Sequence, residues 1–204
     1  MRGFMIDVIF SDDHICVCRK PRGVISEGEG RACLPTLLSE TLGGRAVYPV
    51  HRLDKETEGL MVYALSAKAA AELSGQIADG RMAKEYIAEL LGVPDEKEGS
   101  LRDLLFYDRQ RGRSYVVDRV RKGVKEAILD YRVLESDGNT ARVRVALRTG
   151  RTHQIRVQFA SRGMPLKGDR RYGAPAGTGE LGLTSCYLRF THPVSGEIME
   201  FGDK

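Results

Sequence analysis

The chain has 204 residues and is 42% hydrophobic, enough for a packed core without disulfide staples and a length that favours one domain. Its 32 lysines and arginines outnumber its 28 acids for a net charge of +4, and the excess is regional. Six bases balance six acids up to Val47, but there are eight against three between Arg102 and Lys125, and seven against one between Arg148 and Arg171. Such stretches suit a polyanionic partner better than a membrane, because no long apolar or amphipathic cationic segment accompanies them.

In chain order, "MRGFMIDVIF" is too short an apolar run for a secretory segment and is followed at once by Asp12 and Asp13, so the protein is read as cytoplasmic. "MIDVIF" and "HICVCRK" form a hairpin around "SDDH". The four cysteines lack a second close pair or histidine partners at zinc spacing, which leaves reduced core thiols and no metal site. A short helix covers "LPTLLSETL". The alanine-rich "SAKAAAELSGQIADG" is a helix capped by Ser66 and stopped by Gly80. "AKEYIAELLGV", "RSYVVDRV", "EAILDYRVLES" and "TARVRVALRTG" alternate as strands, with "DGN" a hairpin turn. "TGRTHQIRVQFASRG" is a helix with Thr152 as its cap, Ile155 and Phe159 on one face, and Gly163 as its end. "SCYLRFTHPVSGEIMEF" closes the chain as a hairpin turning at Ser195 and Gly196, with His192 a turn residue. Strands outnumber helices and mostly follow one another directly, which gives a single α+β domain with a largely antiparallel sheet.

Within "YPVHRLDKETEGLMVYAL", charged residues interrupt a strand-like stretch. Asp54 reads either as a loop aspartate in a surface ion pair or as a carboxylate kept ionised in a partly dry cleft by a neighbouring guanidinium, able to act as nucleophile or base. The segment "HRLDKETEGL" resembles the signature of RluA-type pseudouridine synthases, H-R-L-D-x-x-T-S-G-L. "KPRGV", "KEYIAELLG", "GRTHQIRVQFASRGMPLKGDRRYG" and "FTHPVSGE" follow in that family's order. The resemblance spans roughly residues 5 to 202. It departs at Glu58, where the family commonly has Ser, and at Thr184, where a His is common. An N-terminal S4-like domain is not expected, because the catalytic resemblance begins almost at Met1.

The resemblance implies a bent mixed sheet with flanking helices and an active cleft across it. The activity it implies is isomerisation of uridine to pseudouridine within ribosomal or transfer RNA, with no cofactor and by a monomer. It makes Asp54 catalytic, Tyr86 the residue that stacks on the flipped uracil and helps remove the C5 proton, and Arg156 the partner of Asp54. Arg52 helps displace the base being flipped. His51 and His153 are scaffold groups or RNA contacts. Arg113, Arg151, Arg162 and Lys167 belong to the basic stretches, which read either as solvated faces or as phosphate-binding walls. A non-catalytic RNA-binding or RNA-chaperone protein of the same fold is the alternative. A glycoside hydrolase pairing Asp54 with Glu56 or Glu58 fits less well, since the chain has no Trp to stack on sugars and its flanking charge is cationic.

Overall fold

A computed structural model describes residues 6–30 and 33–202. The first elements are β1 (Asp7–Ser11), β2 (Ile15–Lys20), α1 (Leu34–Thr41), β3 (Tyr48–Pro49), β4 (Glu58–Ala64) and α2 (Ala67–Ala78). Then come β5 (Ala83–Leu90), β6 (Glu98–Asp108), β7 (Arg113–Val117), β8 (Val124–Ser136) and β9 (Ala141–Leu147). The chain ends with α3 (Gln154–Ala160), a 3-10 turn (Arg170–Tyr172), β10 (Leu183–Thr191) and β11 (Ile198–Gly202). The described residues gather into two compact units, one within Met1–Lys84 and Thr184–Lys204, the other Glu85–Leu183.

In the first unit the strands run in the order β1-β2-β4-β10, with β11 on β10 and β3 on β4. The opening hairpin turns on Asp12, whose Oδ1 accepts the main-chain N–H of His14 at 2.7 Å and of Ile15 at 2.8 Å, a side chain standing in for a backbone turn. Helix α2 begins where its sequence signals it, with Ser66 Oγ accepting the N–H of Ala69 at 3.2 Å. It lays Ala69 and Leu73 on a core built from Ile15, Val17, Leu60, Val62, Leu188 and Phe190. Complete burial of a residue such as Leu73 contributes about 1.5–3 kcal/mol. Buried Gln76 then clasps the end of β10, its amide donating to the carbonyl of Thr191 and accepting its N–H, both at 2.8 Å. Strand β4 runs parallel to β10, with Glu58 opposite Thr184 and Gly59 opposite Ser185. Gly59 has φ +111°, and a Cβ there would collide with the Ser185 carbonyl, so only glycine allows this approach.

The second unit is an antiparallel sheet in the order β5-β9-β8-β6-β7. Leu105, Ala127, Val157 and Tyr172 form a buried cluster that joins β6, β8, α3 and the 3-10 turn. Strands therefore predominate and, among the described pairings, run antiparallel except for β4 with β10, as the α+β reading requires.

Three local expectations change. Residues 98–108 form β6, to which the sequence reading gives no element. The interrupted strand of residues 48–65 is two strands, with Asp54 on the loop between β3 and β4. Helix α3 starts one residue late. Its cap is His153, in the left-handed region at φ 56°, and Thr152 instead offers its carbonyl to Ser114 Oγ at 2.5 Å. A left-handed non-glycine costs on the order of 1–3 kcal/mol. Here His153 is held by Nδ1 against the Tyr172 hydroxyl at 2.9 Å and by edge contacts with the rings of Tyr172 and Tyr107.

Candidate active-site residues and what holds them

Asp54 is half-buried on a loop whose main chain is gathered from several directions. Its own carbonyl accepts the N–H of Thr57 at 3.0 Å, closing a turn. One residue earlier, the N–H of buried Leu53 donates to Ser26 Oγ, which donates in turn to the Leu53 carbonyl. One residue later, the Lys55 carbonyl accepts the N–H of Gly23 at 2.9 Å and Lys20 Nζ at 3.0 Å. The remaining Lys20 donors go to the carbonyls of Pro21 at 3.0 Å and Val24 at 2.7 Å, so three N–H groups meet three carbonyls. Burial pulls the Lys20 ammonium down to about 8, against the upward pull of Glu56 and Asp54. "KPRGV" is thus the clamp on the loop that carries Asp54, a role its spacing does not reveal.

Around this loop, Arg52 is exposed and meets Glu27 at 3.1 Å. His51 Nε2 accepts the N–H of Val62 at 3.1 Å, which puts the ring proton on Nδ1. Burial, with the nearby Lys84 charge, lowers its pKa to about 3, so the His51 imidazole is neutral where it accepts from the β4 main chain. The two departures from the family pattern meet. Glu58 faces Thr184 across the parallel pair, with Thr184 Oγ1 3.5 Å from Glu58 Oε1, and Arg22 neutralises the carboxylate at 2.9 Å.

In the second unit, Tyr86 is buried on β5 opposite Val145. Arg156 is buried on α3 and presents Nε and Nη2 to Asp169, at 2.7 and 2.8 Å, a two-pronged pair with a carboxylate that has no exposed surface. The face of Tyr172 lies under both Arg156 and Arg113, at 5.2 and 4.9 Å from its centroid, and its hydroxyl accepts the N–H of Ser114. Burial raises the Tyr172 phenol pKa, opposed by that Ser114 bond and by the Arg156 charge. The sequence reading gives no role to Asp169 or Tyr172. The signal for Asp169 was present, since it is the one acid among seven bases between Arg148 and Arg171.

The basic stretches divide. Arg162 binds Asp103 with both Nη atoms, at 2.9 and 3.1 Å, and Lys167 meets Glu89 at 2.9 Å. Arg151 instead donates Nε to the carbonyl of Glu126 at 2.8 Å, and Arg113 stacks on Tyr115 as well as Tyr172. Among the described residues no group of three His, Cys, Asp or Glu side chains is placed to hold a metal ion, and Cys16, Cys18 and Cys33 are buried free thiols. No helix among them is long and apolar enough to cross a membrane.

Residues 14–161 match the family model described as RNA pseudouridylate synthase. The chain is 32% identical over 207 residues to the dual-specificity RNA pseudouridine synthase RluA of Haemophilus influenzae, covering 98% of this chain and 93% of that one. It is 33% identical over 219 residues to ribosomal large subunit pseudouridine synthase D of Pasteurella multocida, covering 96% of this chain and 66% of the relative's length. The solved structure titled human RNA pseudouridylate synthase domain containing 4 shares the fold, with a TM-score of 0.78 at 24% identity over 97% of this chain and 88% of that one. With "HRLD" on its clamped loop and "GRTHQIR" leading into α3, the chain belongs to the RNA pseudouridylate synthase family.

Proposed function

We propose that the protein isomerises uridine to pseudouridine in ribosomal or transfer RNA, as a cytoplasmic monomer whose two units serve as one catalytic domain, without a cofactor. The observation that carries this reading is the loop around Asp54, which three separate anchors hold by main-chain atoms while its carboxylate stays at a half-buried position. That is how a carboxylate is kept positioned for use rather than for stability.

A target uridine leaves its stack at a cost of a few kcal/mol. Asp54 then initiates cleavage of the N1–C1′ bond, either by attack at C1′ or by removing a neighbouring ribose proton. The uracil turns, C5 bonds to C1′, the C5 proton leaves to solvent and N1 gains one, so the reaction is redox-neutral and its atoms balance. Tyr86 stacks on the base and assists the C5 proton transfer. Arg156 is the proposed counter-ion of Asp54, its guanidinium plane fixed by Asp169. Arg52 helps displace the base being flipped, and Arg113 and Arg151 contact phosphates.

The test is release of tritium from C5-labelled uridine transcripts. Asp54→Asn keeps shape and loses charge, so it should bind RNA near wild-type affinity and form no product. A rate within about tenfold of wild type, about 1.4 kcal/mol in barrier, would remove Asp54 from the chemistry. Wild-type protein that binds RNA and releases no label would establish the non-catalytic RNA-binding reading instead.

A further inference from the structure

The second unit contains a cleft of about 340 Å³ whose lining includes Tyr107, Arg109, Lys125 and Arg151, and neither Tyr86 nor Arg156. Three of the lining side chains are cationic and none is acidic. Several other basic residues of this unit are neutralised, Arg102 by Glu126, Arg111 by Asp108, Arg148 by Asp130, Arg162 by Asp103 and Lys167 by Glu89. Among the described residues, no carboxylate lies within ion-pair distance of Arg109, Lys125 or Arg151. Like charges gathered around a concavity repel one another and focus a positive potential into it, an arrangement that an entering anion relieves. Arg151 is also oriented, because its Nε is committed to the Glu126 carbonyl at 2.8 Å.

The cleft offers more than charge. Tyr107 is 37% exposed, and its ring is steadied edge-on against His153, with centroids 6.2 Å apart at 87°. Gly123 and Gly150 form part of the wall, where the lack of side chains lets a polymer backbone come close. A flat aromatic face beside convergent cations matches a nucleobase with its phosphodiester. The base must be unpaired, since a base within a duplex has no face to give.

We infer that this cleft is a second nucleotide site, which takes one unpaired nucleotide of the RNA apart from the reacting uridine, the phosphodiester between Arg109, Lys125 and Arg151 and the base on Tyr107. This rests on RNA being the substrate. Charge and stacking read no base edge, so the site positions the RNA without selecting its sequence.

The test is fluorescence anisotropy with a labelled nine-nucleotide single-stranded RNA, carried out in the Asp54→Asn protein so that turnover does not intervene. The pair Arg109→Gln with Lys125→Gln should bind about 10-fold more weakly at 0.1 M salt, with a log K against log salt slope shallower by about 1.4, as two lost single-strand phosphate contacts require. Tyr107→Ala should lose about 10-fold, and Tyr107→Phe should bind like the parent because the ring face suffices. The control pair Arg142→Gln with Arg189→Gln, each residue held by a carboxylate, should be unaffected. Cleft variants binding within about twofold of the parent, a control pair that weakens binding equally, or Tyr107→Phe as weak as Tyr107→Ala would each overturn the proposal. Tritium release by the wild-type protein is scored separately, so failure of the catalytic reading is distinguished from failure of the cleft.

Discussion

In the first unit, half-buried Asp54 sits on a loop whose main chain Lys20 gathers through three carbonyls, whereas in the second unit buried Arg156 meets the carboxylate of Asp169 directly. These clamps hold the loop by main-chain atoms of Leu53, Asp54 and Lys55 and do not draw on the Asp54 carboxylate. Direct pairing also fixes geometry, but it ties a buried cation to a carboxylate, because a guanidinium that loses an ion pair cannot stay buried cheaply. The two arrangements should therefore fail differently.

The largest effect on stability is expected from Asp169→Ala, which removes the two-pronged carboxylate from the buried Arg156 guanidinium and should lower the unfolding free energy by about 3–5 kcal/mol in urea titrations. A loss below about 1 kcal/mol would make the pair no more consequential than a surface one and would erase the contrast.

Lys20→Met keeps the apolar stem and removes the donors. It should cost about 1–3 kcal/mol and reduce pseudouridine formation more than RNA binding, since the Asp54 loop loses its clamp. The pH response sharpens this further. The Lys20 pKa is about 8 in the fold against an ordinary 10.5, so the unfolded chain binds more protons between those values and this group's contribution to stability rises with pH across that window. A neutral amine nevertheless has two N–H groups for three carbonyls. Turnover should fall as pH passes about 8 with no parallel fall in melting temperature, and the Lys20→Met protein should lack that alkaline limb. Melting and activity declining together in the wild type would show that the clamp serves the whole fold rather than the loop.

The smallest effect sets the scale. Ser66→Ala removes one neutral capping bond at α2 and should cost about 1 kcal/mol in the same urea titration, leaving tritium release unchanged.

How legible these regions are in the sequence follows from where their partners lie. The opening hairpin, α2 with its Ser66 cap and the closing hairpin are set by neighbours within a few residues, and each forms where the pattern puts it. Strand β6 escaped because its buried face reads Leu101, Asp103, Leu105, and a charge on that face breaks the apolar alternation. The residues that accommodate Asp103, Gln158 and Arg162, lie 55 and 59 positions away. Thr152 had the right chemistry for a cap, yet the Tyr172 hydroxyl decided the geometry by holding His153.

By itself, the sequence determined the α+β class, the main helices and most strands, while Asp54, Tyr86 and Arg156 stand out only through the resemblance of its ordered motifs to the pseudouridine synthase pattern. Periodicity, caps and turn residues are local, and local energies are written in consecutive letters. Only the tertiary structure decided that Lys20 holds the Lys55 carbonyl 35 positions on, that Asp169 is brought onto Arg156, and that among the described residues Arg109, Lys125 and Arg151 keep no carboxylate partner while Arg162 and Lys167 do. The reason is physical: a buried polar group must be satisfied by whatever the fold brings within about 3 Å, and that choice depends on distance in space rather than along the chain.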